Sequence, residues 1–363
     1  MVNSNAIAEI INSQWTKVNA SCNTYQRRML NAIRSCRTSK LGGEIYMCDR
    51  CKKHHIKYNS CRNRNCPQCQ NTQKAKWIAD REDQILETKY YHVVFTLPDK
   101  LNECCLSNQR IMYASLFRAA WETLNGFGWN RKYLGGQLGT TMVLHTWGSN
   151  LSYHPHVHCI VPGGGVTLSN KWKSVNGKGK YLFPVKELSK VYRAKYLSAI
   201  KKSGINLSAP LYKELYKKSW VVYAKPAFGN AEVLIKYLAR YAYKTAITHH
   251  RITRYNKDRV SFSYTDYRHR NQNKMLTIST WEFVRRFSLH ILPKGFCRIR
   301  HYGLLNAAWK QILFQHTSRL KAKKDWKELW KEKGLVVDRC PSCKKGKMEY
   351  VAKLNPNKGP PRI

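Results

Sequence analysis

The run YHPHVHCIVPGGG, residues 153–165, alternates histidine with apolar residues before it reaches three glycines. Side chains two apart on a strand share a face, so His156 and His158 stand together while Val157 and Cys159 point the other way. One face can therefore enter a core while the other offers two imidazoles to one divalent ion. The preceding run MVLHTW puts Val143, His145 and Trp147 on one face. An antiparallel hairpin would bring His145 beside the pair as a third ligand, with His154 as its competitor. An H-x-H pair alone is unspecific, since single histidines are more often simply hydrogen-bonded and several hydrolases use the same pair. A metallohydrolase would also need acidic ligands, and no Asp or Glu lies between Glu122 and Glu187.

Cysteine is the second constraint. Two C-x-x-C pairs, Cys48/Cys51 and Cys66/Cys69, are separated by fourteen residues, the layout of a four-cysteine zinc site. Cys36, Cys61, His54 and His55 could furnish a second site. Cys340 and Cys343 form a lone half-knuckle, which either completes a zinc site with distant residues or leaves two free thiols. Buried structural thiols are the bland alternative throughout. The N-terminal run MVNSNAIAEIINSQW lacks the basic-then-apolar pattern of a signal peptide. That places the chain in a reducing cytoplasm, nucleoid-associated, where thirteen cysteines serve as metal ligands or thiols and not as disulfides.

Charge narrows the partner. A formal net charge of +44 repels itself unless an anion neutralises it, and nucleic acid is the first candidate. No apolar run approaches the length of a membrane span. Arg62 and Arg64, inside the cysteine-rich segment, are candidate phosphate contacts.

The rest of the chain reads as α+β, helices covering an antiparallel sheet. Residues 1–85 form the cysteine-rich module with flanking helices, including one at about 70–88; residues 86–300 form the main domain. Strands are expected near 90–97, 136–150, 154–165, 220–226, 251–255, 259–265 and 274–279, with helices at 106–125 and 280–290. Residues 166–215, lysine-rich, read as an irregular basic insertion, and 301–363 as a basic helical tail with a disordered end. The clearest helix is 230–247, with Asn230 as N-cap and Glu232 in its first turn. On it, Tyr237 and Tyr241 stand at i and i+4, on a face shared with Val233, Leu234 and Leu238. Lys236, Arg240 and Lys244 form a ridge beside them, placed to meet phosphates, while Tyr243 points nearly opposite.

A histidine-pair strand followed by a helix bearing two tyrosines resembles the HUH superfamily of single-strand DNA nucleases. YNSCRNRNCPQCQ, LHTWGSNLSYHPHVHCIVPGGG, YLARYAYKTAI and RIRHYGLL, in this order, are similar to the two-tyrosine rolling-circle transposases of the insertion sequence ninety-one family. The resemblance covers roughly residues 20–310; Asn65 and Cys297 stand where many relatives have histidine. It implies an HUH endonuclease core behind a zinc-binding module, Tyr237 and Tyr241 as nucleophiles, and magnesium or manganese held by His145, His156 and His158. It implies structural zinc on Cys48, Cys51, Cys66 and Cys69, with Cys36, Cys61 and His55 as further ligands. The activity implied is nicking and rejoining of single-stranded or hairpin DNA at transposon ends through 5′-phosphotyrosine. A plasmid replication initiator or relaxase would share that chemistry; a non-catalytic zinc DNA-binding protein would not need the tyrosines.

Overall fold

The structure, a computed structural model, describes residues 5–70, 86, 88–175, 182–228, 241, 243–267, 269–309 and 338–356. Its first elements are three short helices, Ala6–Ser13, Trp15–Ser21 and Thr24–Arg34. The third begins on a reciprocal cap: the Asn23 side chain accepts from the Gln26 amide, and the Gln26 side chain accepts from the Asn23 amide. Ile7, Ile10, Ile11, Leu30 and Ile33 face inward from these helices. Strands β1 (Gly43–Cys48) and β2 (His54–Tyr58) follow as a hairpin.

Next come β3 (Tyr90–Thr96), helices Asn102–Ser107 and Gln109–Trp129, β4 (Gly139–Trp147), β5 (Tyr153–Pro162), β6 (Gly164–Val166) and β7 (Trp172–Ser174). Helices Val185–Lys202 and Ala209–Lys217 lead to β8 (Val222–Phe228). The meander β9 (Ile252–Tyr255), β10 (Arg259–Asp266) and β11 (Gln272–Ser279) precedes the helix Thr280–Leu289. Strands β12 (Ile299–Gly303) and β13 (Met348–Leu354) close the order.

The central sheet has the order β12-β4-β5-β3-β8, and every pairing in it is antiparallel. Alternation decides its two faces. Val93, Phe95, Met142, Leu144, Val157, Cys159 and Val161 pack into one cluster with Tyr113, Leu116, Phe117, Tyr192 and Tyr196 from the Gln109–Trp129 and Val185–Lys202 helices. The opposite face carries His92, His145, His156 and His158. A second core joins Ile7, Ile10 and Ile11 to Cys36, Cys66, Cys69, Trp147, Phe262, Phe283 and Phe287. The N-terminal helices thus share a core with β10 and the Thr280–Leu289 helix.

Three expectations change. Residues 182–215 are not irregular as expected: Leu188, Tyr192, Tyr196, Leu197 and Ile200 are buried at helical spacing, and lysines on the outer face hid that stripe. The helix expected over 230–247 does not reach 247, because residues 243–248 are non-helical; residues 229–240, and most of the helices expected at 70–88 and beyond 310, lie outside the described residues. The basic tail is not wholly helical either, since β12 is an edge of the central sheet and β13 pairs with β1.

Candidate active site and metal centres

The sheet register assembles the histidines. His145 on β4 lies opposite His156 on β5, and Val143 lies opposite His158. His158 Nε2 sits 3.0 Å from His145 Nδ1 and 3.1 Å from His156 Nε2. His154 is not part of this group: its ring turns toward Asp99, 3.6 Å away, and only its backbone serves the cluster.

The far nitrogens explain the convergence. His145 Nε2 donates to the Tyr241 carbonyl at 2.8 Å, and His156 Nδ1 donates to the His154 carbonyl at 2.7 Å. A carbonyl only accepts, so both protons sit outside and the inner nitrogens present lone pairs. An octahedral ion with nitrogen ligands at about 2.1 Å sets adjacent donors about 3.0 Å apart, so the three inner nitrogens fit such an ion. Burial first, then neighbouring histidines, push both His145 and His158 well below the ordinary imidazole range; Lys244 adds to both, and Arg298 to His145 alone. His156 is lowered to about 3, by burial first and the His154 charge second. All three rings are therefore neutral near pH 7 and available as ligands. Among the described residues no carboxylate joins them, which disfavours the metallohydrolase alternative.

Tyr241 closes the site. Its ring centroid lies 4.1 Å from that of His158, 5.3 Å from His92 and 5.7 Å from His145. Tyr237, Lys236 and Arg240 fall outside the described residues. Lys244 is exposed, and its carbonyl accepts from Arg298 at 3.2 Å. Two residues here were missed from sequence, His92 and Arg298. His92 carried the same signal as the others, a histidine inside the apolar strand YYHVVFT. Arg298 had none beyond its lying in the RIRHYGLL motif.

The cysteines form two clusters, paired differently from the expectation. Cys48 and Cys51 meet Cys340 and Cys343, while Cys66 and Cys69 meet Cys36 and Cys61. Cys36–Cys69 and Cys61–Cys69 are each 3.6 Å apart; Cys48–Cys343 and Cys51–Cys340 are each 3.7 Å apart. A tetrahedral zinc at about 2.3 Å from each sulfur gives edges of about 3.8 Å, whereas a disulfide would bring sulfurs to about 2.05 Å. Backbone amides also point at the sulfurs: Cys51 N donates to Cys48, Cys61 N to Cys36, Cys343 N to Cys340 and Gly346 N to Cys343. The Gly346 and Lys345 amides hold the Cys343 thiol down to about 6, so it is a thiolate at neutral pH. His55 stands outside both sets, its Nε2 3.8 Å from Cys340 Sγ and 3.2 Å from Ser342 Oγ. Asn65 and Cys297 belong to none of the three groups.

The two arginines expected at phosphate separate. Arg62 is exposed, with left-handed backbone at φ 52°. Arg64 is turned inward, its guanidinium donating to the carbonyls of Phe296, Leu292 and Pro293 at 2.6, 3.3 and 3.1 Å. It ties the cysteine-rich segment to the loop after the Thr280–Leu289 helix and is not placed to meet DNA.

Comparisons with known proteins agree along the chain. Residues 139–311 match the family described as "Putative transposase", and residues 7–97 match the family described as "Transposase zinc-binding domain". The protein named "Putative transposase y4qJ" of Sinorhizobium fredii is 37% identical, over 94% of this chain and 93% of its own length. The transposase for insertion sequence element IS801 of Pseudomonas savastanoi pv. phaseolicola is 30% identical, over 75% of this chain and 68% of its own. Among solved structures, the metal-free conjugative relaxase TrwC in complex with oriT DNA is 13% identical, over 68% of this chain and 73% of its own, with a TM-score of 0.28. No helix among the described residues is long and apolar enough to cross a membrane.

Proposed function

The chain belongs to the insertion sequence ninety-one family of transposases, and from that premise we propose that it nicks and rejoins single-stranded or hairpin DNA at element ends through tyrosine. One observation supports the reading: three neutral imidazole nitrogens converge on a point beside the Tyr241 ring, whose centroid lies 4.1 Å from that of His158 at a 40° tilt. His145, His156 and His158 would hold magnesium or manganese. Such an ion, when bound, withdraws charge from a scissile phosphate.

The phenol oxygen of Tyr241 attacks phosphorus, the bond to the 3′-oxygen breaks, and a 5′-phosphotyrosine remains beside a free 3′-hydroxyl. The phenol gives up a proton and the departing oxygen takes one, so the step is balanced. Phosphodiester energy stays in the covalent link, and a 3′-hydroxyl can reverse the step without ATP. Tyr237, four positions earlier in sequence, is the other nucleophile, available while Tyr241 is occupied. Lys244, Lys236, Arg240 and Arg62 supply phosphate contacts, and the +44 net charge supplies sequence-independent affinity. Each four-cysteine cluster holds one structural zinc.

The test is incubation of labelled single-stranded element ends with the zinc-loaded protein and manganese. A covalent adduct is expected, mapped by mass spectrometry to Tyr237 or Tyr241. Tyr237→Phe combined with Tyr241→Phe keeps both rings and should lose all adduct. Cleavage that persists in the double variant, or an adduct on Tyr243, refutes the assignment.

A further inference from the structure

Of the three clustered histidines, only His158 has an undecided proton. Carbonyl acceptors fix the outer protons of His145 and His156, but the outer nitrogen of His158 meets another imidazole: His158 Nδ1 lies 2.9 Å from His92 Nε2. Two arrangements are open to it. With its proton on Nε2, His158 donates inward to His145 Nδ1 or His156 Nε2, at 3.0 and 3.1 Å, and the point of convergence is closed to a cation. With its proton on Nδ1, it donates outward to His92, and three lone pairs face the centre. His158 is buried, so solvent offers little competition for either nitrogen.

We propose that His92 is a positioning residue that accepts the Nδ1 proton of His158 and so leaves Nε2 free for a divalent ion. The inference rests on the reading that His145, His156 and His158 bind that ion. Its geometry is built into the sheet. His92 and His158 project from adjacent strands β3 and β5 onto the same face, where His158 lies opposite Val94 and His92 opposite Ile160. The two rings are nearly parallel, at 16° with centroids 5.1 Å apart, and His92 also lies against Tyr241. His92 is 2% exposed, so no alternative rotamer into solvent competes with this contact. To accept, its Nε2 must be unprotonated, and its own proton then resides on Nδ1. Outer hydrogen bonds of this kind fix the tautomer of a ligating imidazole and raise its basicity.

The experiment measures manganese affinity of the zinc-retaining full chain, reading free Mn2+ by electron paramagnetic resonance. His92→Phe keeps an aromatic ring but removes the acceptor, and should weaken Mn2+ binding by roughly 10- to 100-fold. His92→Gln offers an amide oxygen to His158 Nδ1 and should restore most of that loss. Wild-type protein that binds no Mn2+ refutes the three-histidine reading itself. Wild-type binding matched by His92→Phe refutes only the role of His92. A measurement on the wild type is independent of whether a variant folds: 15N correlations of His158, with zinc retained and no manganese added, should place its proton on Nδ1. A proton on Nε2 overturns the proposal.

Discussion

The two four-cysteine clusters share one chemistry and close in opposite ways. The Cys36/Cys61/Cys66/Cys69 cluster draws on a local stretch, 33 positions from first to last, and sits in the same core as Ile7, Leu30 and Phe283. The Cys48/Cys51/Cys340/Cys343 cluster joins sulfurs 295 and 289 positions apart, with Cys51 and Cys343 only half-buried. Loop closure grows as the logarithm of length, so the second cluster closes at about 2 kcal/mol greater entropic cost in the unfolded chain. The local cluster is part of the core that the N-terminal helices share with β10 and the Thr280–Leu289 helix. The distant one is a clasp that lays β13 against β1.

Removing one ligand from each cluster should therefore have unequal consequences. Cys66→Ser strikes a buried ligand within a packed core. Structural zinc sites contribute on the order of 10 kcal/mol to folding in small peptides, and a fraction of that is decisive here. We expect soluble protein to collapse in yield, or Tm to fall by roughly 10 °C. A Tm close to wild type would make the two clusters equivalent and end the comparison.

Cys340→Ser with Cys343→Ser should act on the clasp alone. Zinc per chain is expected to drop from two to one, and the segment 338–356 to become open to limited proteolysis. The central sheet should keep its thermal transition, since among the described residues β13 pairs with β1 and with no strand of that sheet. Unchanged zinc content would mean these sulfurs are free thiols in solution.

How much of this could be read beforehand follows from the range of each interaction. The clustering of His145, His156 and His158 was legible because strand alternation and a short hairpin place them within one local unit. The cysteine pairing was not. Cys48/Cys51 and Cys66/Cys69 have the spacing of one zinc site, and a distant half-knuckle carries no address for its partner. Arg64 read as a DNA contact because composition shows its charge and not the three carbonyls that take it inward. In residues 185–202 a buried stripe lay under five lysines, and composition outweighed period. His92 was overlooked for a different reason. It stands on β3, outside the β4–β5 hairpin that is legible in sequence, and its meaning comes from pairing with β5.

The smallest effect should come from Gly346→Ala, which sharpens the comparison without removing a ligand. Gly346 lies in the turn after Cys343, where its amide donates to Cys343 Sγ at 3.3 Å and its carbonyl accepts from the Cys340 amide at 2.8 Å. A Cβ there would run into Cys48 Sγ and the Asp49 carboxylate, the same carboxylate that accepts from the Lys347 amide at 2.8 Å. Neither neighbour can retreat freely. Cys48 is fixed by β1, and Asp49 is held a second time through its own amide, which donates to the Lys347 carbonyl at 3.0 Å. The methyl group must therefore push one sulfur of the clasp out of tetrahedral position while leaving all four thiols present. We expect zinc affinity of one site to weaken by about 10-fold, as when a supporting contact to a ligand is lost. Two zinc ions should still bind at saturation, and the core cluster should hold its ion as before. Competition with a chromophoric chelator resolves the two sites. Two wild-type affinities in Gly346→Ala would show that the turn yields, and that the clasp is looser than its sulfur geometry implies.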